Sequence, residues 1–175
     1  MPKLPCTRCR ILFFALAPVV TLFLVHSLVV GHLLVNTSKS MPLGVYLTHP
    51  VSRLSVGDIV LACGPRWLVS NGYVAPSRVC QGRSKVLKPV RGLSGSRISW
   101  SARGGLMIDG TPTGAVALST DHEGRALPHF AGGTVPLGSV FLLSTHNVNS
   151  ADGRYFGFTK ITDILGVYRC VLCVK

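Results

Sequence analysis

The chain opens with one long apolar stretch and continues in short runs of alternating hydrophobic and polar residues. No Lys, Arg, Asp or Glu occurs in residues 11–38, and residues 11–35 are almost wholly apolar. A bilayer hydrocarbon core of about 30 Å takes roughly 20 helical residues to cross. The pattern therefore predicts a transmembrane anchor over residues 11–35.

A cleaved signal peptide is the competing interpretation, because Lys3, Arg8 and Arg10 form a positively charged start. The apolar run exceeds the roughly 7–15 residues of a typical signal-peptide core, and no clean small-x-small cleavage site follows it. The retained anchor is favoured. Only Lys39 lies just after the span, so the basic flank predicts residues 1–10 in the cytoplasm and residues 36–175 outside it.

The segment after the anchor has the pattern of one mainly β domain. Its short β-rich runs are separated by Gly and Pro, and a polar segment, Ala117–Gly133, predicts a surface loop. The candidate strands are Gly44–Leu47, Ile59–Ala62, Val86–Val90, Arg97–Ser101, Leu106–Ile108, Ser139–Leu143 and Ile164–Val174. The predicted fold is a β-barrel or β-sandwich preceded by one transmembrane helix.

The charge of the chain is strongly positive, at +12 from 18 basic and 6 acidic residues. The basic residues are scattered singly, without a run or interleaved aromatic residues, so we expect no nucleic-acid partner. Such a surface suits anionic membrane lipid or an acidic partner, and an unpartnered basic surface is the simplest interpretation.

The 6 cysteines fall into three pairs, of which Cys6/Cys9 and Cys170/Cys173 have Cys-x-x-Cys spacing. The predicted membrane separates these two pairs, so they do not share a zinc site and no metal is expected. Cys63 and Cys80 bracket a loop rich in Gly, Pro, Asn and Ser. They are a candidate disulfide, worth about 3 kcal/mol in the chain-entropy model, although spacing alone does not fix their geometry.

Candidate chemistry comes from one serine and one lysine. Ser40 lies just beyond the apolar span, and Lys88 interrupts the apolar strand Val86–Val90. A serine hydroxyl attacks an amide only when a base lies within hydrogen-bond reach. A lysine acts as that base only when burial keeps it neutral. The alternative for Lys88 is a solvent-facing lysine on an edge strand.

Four segments, in the same order, resemble motifs of the type I signal peptidases (family S26). They are the nucleophile motif at Ser38–Pro42, the Gly-Asp-x-Val strand at Leu54–Val60, the lysine motif at Lys88–Gly95 and the Asn-Ser-x-Asp box at Asn149–Gly157. Together they cover most of residues 36–166. The proline directly after Met41, followed by Gly-x-Tyr, resembles the conjugative-transfer branch of that family, called TraF.

This resemblance implies an all-β peptidase domain on the periplasmic face of the bacterial inner membrane, with no cofactor. It implies an exported propilin as substrate, which the branch processes and in some systems joins into a circle. Other proteins of the conjugation apparatus are further expected partners. The alternatives are a general type I signal peptidase for many exported proteins, or a non-catalytic anchored assembly factor that kept the fold.

Carried onto this sequence, the resemblance implies that Ser40 is the nucleophile and Lys88 the general base. The Ser40 backbone N–H and the Ser38 hydroxyl would bind the oxyanion. Ser150 corresponds to a serine that orients the lysine ammonium. Asp152 matches an acidic position near the active site, with a structural ion pair to a neighbouring arginine as the alternative.

Substrate binding is expected along the strand that follows the nucleophile. Met41, Pro42 and Gly44 lie there, where an extended peptide would add as a further strand with shallow pockets for small side chains. We therefore expect alanine-like residues before the scissile bond.

The chain departs from the family pattern at two places. Ser94-Gly95-Ser96 lacks the Pro and Asp of the lysine motif, and Ser144-Thr145-His146-Asn147 replaces Gly-Asp-Asn-Arg of the general signal peptidases. His146 also allows a rival triad of Ser40, His146 and Asp152. That triad would leave the lysine motif unexplained.

Overall fold

The computed structural model describes residues 16–23 and 32–174. The chain divides into two units, residues 1–34 and residues 35–175, and in the first of them residues 16–23 are helical. Within these described ranges, no helix is long and apolar enough to cross a membrane. Most of the anchor expected over 11–35, and the whole N-terminal segment 1–10, lie outside the described residues and stay predictions.

From residue 33 onward, short β-strands make up most of the regular structure. The strands are β1 (Leu33–Asn36), β2 (Leu43–Thr48), β3 (Ile59–Cys63), β4 (Lys85–Gly92), β5 (Arg97–Trp100), β6 (Gly105–Ile108), β7 (Thr111–Val116), β8 (Gly133–Thr134), β9 (Ser139–Leu142), β10 (Phe158–Lys160) and β11 (Ile164–Val174). Two helical turns, α1 (Trp67–Ser70) and α2 (Gly153–Phe156), and the 3-10 turn Ile161–Asp163 complete the elements of this part.

The strands form two sheets. One has seven strands in the order β1-β2-β11-β3-β4-β9-β10, and the other has four in the order β7-β6-β5-β8. The mainly β class is thus confirmed. In the part of the chain that the structure describes, neither sheet closes on itself, so the barrel option does not apply.

Strand β9 links the two hydrophobic cores. All four of its residues are buried, and successive side chains of a strand point to opposite faces. Val140 and Leu142 pack with Val60 and Val90 in the core formed by residues of the seven-stranded sheet. Phe141 packs with the core residues of the four-stranded sheet. A buried strand with two apolar faces therefore joins the sheets.

Every strand expected from the sequence is present, and Ile164–Val174 has the expected bounds. The strands that the pattern did not reveal are β1, β7, β8 and β10. β7 contains Pro112 and Gly114, which are depleted in strands, and β8 has two residues. β1 takes in residues 33–35, which the pattern assigned to the end of the anchor. A short apolar run does not by itself distinguish strand from helix.

Cys63 and Cys80 form a disulfide that closes the loop carrying α1. Both cysteines are buried, and their Cα atoms lie 5.4 Å apart. The bond ties the end of β3 to the turn that precedes β4. Cys170 and Cys173 are also joined, within β11.

Replacing Cys63 and Cys80 together by Ala should lower the free energy of unfolding by about 3 kcal/mol, because the crosslink restricts the unfolded chain. Urea unfolding of the purified full chain measures this. The control is wild type with and without reductant. An unchanged urea midpoint in the double variant would show that the crosslink contributes no stability.

Candidate active site

Ser40 lies in the turn between β1 and β2, and the side chain of Asn36 organises that turn. Asn36 Nδ2 donates to the carbonyl oxygens of Ser38, Met41 and Pro42 at 3.0, 3.1 and 3.0 Å. Asn36 Oδ1 accepts from the backbone N–H of Ser38 at 3.1 Å. One buried amide therefore holds both sides of the turn that carries Ser40.

Two residues of β2 fix the turn from the other side. The fully buried Tyr46 donates its hydroxyl to the Pro42 carbonyl at 2.8 Å, and burial raises the pKa of this phenol. Gly44 has a φ of +147°, and a Cβ there would collide with the backbone carbonyl of Leu172 on β11. Close strand packing therefore accounts for glycine at this position, and its predicted contact with substrate stays a prediction.

Lys88 is placed on β4 directly behind Ser40. Its backbone pairs with Val60 on β3, and only 3% of its surface is exposed. Lys88 Nζ lies 2.7 Å from Ser40 Oγ and donates to the Leu87 carbonyl at 3.1 Å. The structure thus brings together the two residues of the predicted dyad, and the alternative of a solvent-facing lysine is wrong.

Burial lowers the pKa of Lys88 to about 8, because the interior penalises its charged form. The negative charge of Asp152 acts in the opposite direction, and the positive charge of Arg154 adds to the lowering. A lysine with this pKa is neutral in a substantial fraction of molecules near pH 8, which is the state in which it can accept a proton.

Ser38 lies beside Ser40 on its exposed side. Its Oγ is 3.1 Å from Ser40 Oγ and accepts from the Ser40 backbone N–H at 3.4 Å. The two groups expected to bind an oxyanion therefore face each other in this structure. An incoming carbonyl oxygen would have to take the place of the Ser38 hydroxyl at the Ser40 N–H.

Asp152 and Arg154 form a buried ion pair next to the dyad. Their exposed fractions are 0% and 1%. Asp152 Oδ1 accepts from Arg154 Nε at 2.9 Å, and Oδ2 accepts from Nη2 at 3.0 Å. Asp152 also caps α2 by accepting from the Arg154 backbone N–H. Arg154 donates further to the carbonyls of Val116 and Ser150. The structural ion pair expected as an alternative is thus present.

The remaining predicted residues lie close by but in other environments. Met41 is 5% exposed, with its sulfur 3.8 Å from the Ser144 hydroxyl. Ser150 is buried, and its hydroxyl has no hydrogen-bond partner among the described residues. His146 is exposed and joins the network through its backbone N–H. Since Asp152 is engaged by Arg154, the structure does not assemble the rival triad.

Three residues of the site were not predicted from the sequence: Asn36, Tyr46 and Ser144. Asn36 marks the end of the apolar stretch, and Tyr46 belongs to the Gly-x-Tyr pattern after the nucleophile. Ser144 lies where the chain departs from the general signal peptidase motif, and that departure was the available signal. Their hydrogen-bond partners could not be inferred from sequence spacing.

The family model "Signal peptidase, peptidase S26" matches residues 8–173. The chain belongs to the peptidase S26 family. Its Ser40–Lys88 contact is therefore found in a member of a peptidase family.

The chain is similar to proteins that are named for conjugal or plasmid transfer. The "Conjugal transfer protein TraF" of Agrobacterium fabrum is 38% identical over 152 residues, which covers 81% of this chain and 83% of the relative. The "Plasmid transfer protein TraF" of Escherichia coli is 31% identical over 147 residues, covering 79% and 81%. A crystal structure of a signal peptidase I from Enterococcus faecalis V583 is 22% identical, with a TM-score of 0.41, and covers 67% of this chain and 98% of that one.

Lys88→Met should stabilise the fold at pH 7 by about 1–3 kcal/mol, because wild type pays a desolvation penalty for burying the lysine charge. The variant also loses the two hydrogen bonds of Lys88 Nζ, which offsets part of this gain. The folded pKa of about 8 lies below the ordinary value of 10.5, so the penalty on wild type is complete below pH 8. It disappears as the pH rises from about 8 to 10.5. The advantage of the variant should therefore shrink over that window.

Thermal unfolding of both proteins between pH 6.5 and about 10 measures this difference. Lys85→Met, at an exposed position on the same strand, is the control. If the difference in stability between Lys88→Met and wild type does not change with pH, burial does not lower the pKa of Lys88.

Arg154→Leu should lower the free energy of unfolding by about 3–5 kcal/mol, since it leaves the Asp152 carboxylate buried without its cation. The matched control is Arg83→Leu, which breaks the partly exposed pair of Arg83 with Asp163, 2.7 Å apart. That change should cost about 1 kcal/mol or less. If both variants lose the same free energy of unfolding in urea, burial does not make the Asp152–Arg154 pair more important for stability than the partly exposed pair.

Proposed function

We propose that this chain is a serine endopeptidase that uses a Ser40/Lys88 dyad to process an exported propilin for conjugative transfer. The observation that carries the proposal is the 2.7 Å contact between Ser40 Oγ and the Nζ of a buried lysine. A nucleophile and a base within hydrogen-bond reach are what serine peptidase chemistry needs. Membership of a peptidase family supports the same assignment.

In the proposed acylation step, neutral Lys88 Nζ takes the proton of Ser40 Oγ as that oxygen bonds to the scissile carbonyl carbon. The Ser40 N–H and the Ser38 hydroxyl stabilise the oxygen on which negative charge develops. Lys88 then returns the proton to the leaving amine nitrogen, and the C–N bond breaks. The product is an ester of the substrate's carbonyl group on Ser40.

The ester is resolved by a second nucleophile. Attack by water gives a free carboxyl group, and attack by an amine of the substrate gives a new amide bond. In both cases neutral Lys88 takes the proton of the attacking group, and Ser40 Oγ leaves with a proton returned from Lys88. Hydrolysis and cyclisation therefore differ only in which nucleophile reaches the ester.

The substrate class and the location rest on the relatives and on the sequence. The similar TraF proteins are named for conjugal and plasmid transfer. The apolar stretch over residues 11–35 and its basic flank favour a single-pass inner-membrane protein with a cytoplasmic N-terminus and a periplasmic peptidase domain. There the domain would meet an exported precursor as that precursor leaves the membrane.

The test is processing of a co-expressed propilin in cells that carry wild type, Ser40→Ala or Lys88→Ala. Both variants should abolish processing, while Lys85→Ala, at an exposed position on the strand of Lys88, should process normally. The mass of the product distinguishes the outcomes: a product one water lighter than the linear fragment is cyclised. Processing should withstand EDTA, because the dyad uses no metal.

Three results would contradict the proposal. Processing by Ser40→Ala would favour the non-catalytic assembly factor. Loss of processing in His146→Ala but not in Lys88→Ala would replace the dyad by the triad. Accumulation of many uncleaved exported precursors, besides the propilin, in Ser40→Ala cells would indicate a general signal peptidase.

A further inference from the structure

Ser144 links the nucleophile to the buried ion pair. It is the first residue after the buried segment Ser139–Leu143 and is 1% exposed. The preceding backbone N–H, of Leu143, donates to the carbonyl of Pro89 at 3.2 Å. Pro89 directly follows Lys88, so Ser144 is fixed relative to the strand that carries the base.

The backbone N–H and the hydroxyl of Ser144 are both hydrogen-bonded. Its backbone N–H donates to Asp152 Oδ2 at 3.1 Å. Its hydroxyl donates to the backbone carbonyl of Ser40 and accepts from the His146 N–H at 3.3 Å. Ser144 is therefore bonded to Asp152 on one side and to the nucleophile residue on the other.

The hydrogen bond to the Ser40 carbonyl differs from the other bonds that hold the turn. Asn36 and Tyr46 bind the carbonyls of neighbouring residues. Among the described side chains, only Ser144 donates to the backbone of Ser40 itself. A fixed carbonyl limits rotation about the Ser40 backbone, and with it the direction in which Cβ and Oγ point towards Lys88.

We propose that Ser144 is a positioning residue, through which the Asp152–Arg154 pair holds Ser40 in the orientation that lets Lys88 take its proton. The inference rests on the proposed serine peptidase function. Ser144 touches neither the reacting oxygen nor the base, and it acts by holding the residue that carries the nucleophile. Asp152 therefore influences the dyad in two ways: electrostatically at Lys88, and mechanically at Ser40 through Ser144.

The experiment compares wild type, Ser144→Ala, Ser144→Thr and Ser40→Ala as purified full chains in detergent, acting on the propilin that wild type cleaves. Ser144→Ala should lower kcat about 10- to 100-fold, because small misplacements of a reacting group have effects of this size. KM should stay within about twofold, since the hydroxyl is buried and bonded to the Ser40 carbonyl. Ser144→Thr keeps a hydroxyl and should recover most of kcat.

The pH profile separates positioning from a change in the base. The rate should rise with pH through the pKa of Lys88, about 8, in wild type. Ser144→Ala should keep this midpoint while its plateau falls. The matched control is Ser84→Ala, which removes a buried serine hydroxyl that has no hydrogen-bond partner in the described chain and should leave kcat unchanged.

Unchanged kcat in Ser144→Ala, with Ser40→Ala inactive, would overturn this inference and leave the peptidase assignment intact. The same holds if Ser144→Thr is as slow as Ser144→Ala. Full activity of Ser40→Ala would instead overturn the proposed function. If thermal unfolding shows that Ser144→Ala does not fold, the same comparison is made with Ser144→Cys, whose thiol has a similar shape and is a weaker donor.

Discussion

The burial of Lys88 is the constraint on which the rest of the site depends. A lysine with 3% of its surface exposed is costly to hold in its charged form. Lys88 lies on β4, which is flanked in the sheet by β3 and β9. The same burial lowers its pKa to about 8 and leaves Ser40 Oγ as its nearest polar partner, at 2.7 Å. Destabilisation of the charged lysine and readiness to accept a proton therefore have one physical cause.

The ion pair of Asp152 and Arg154 acts on Lys88 with charges of both signs. Both charges are buried, and each is satisfied by hydrogen bonds in addition to the pairing. Desolvation is the leading cause of the lowered pKa of Lys88, while Asp152 raises this pKa and Arg154 lowers it. The pair also holds the segment around α2, through the Asp152 cap and the Arg154 bond to the Ser150 carbonyl.

The turn that carries Ser40 is held by hydrogen bonds from buried side chains. Ser40 is only partly buried, yet the residues that hold its turn, Asn36 and Tyr46, are buried. Ser144, which lies just after β9, adds a hydrogen bond to the Ser40 carbonyl. In the order of the sheet, β9 lies far from β1 and β2, which flank the turn. Since β9 also connects the two cores, the position of Ser40 depends on the packing of the whole domain.

The sequence alone determined the mainly β class, seven strands, the pairing of Ser40 with Lys88 and the family, because strand patterns and family motifs are local. It did not reveal β7 and β8, whose composition and length carry little strand signal. Nor could it reveal that Ser144 binds Ser40, since these residues are 104 positions apart and neither spacing nor residue type specifies the contact. The burial of Lys88, the partners of Asp152 and the exposure of His146 were likewise decided by tertiary packing. Burial and hydrogen bonding arise from strands that are distant in the chain and adjacent in the sheet.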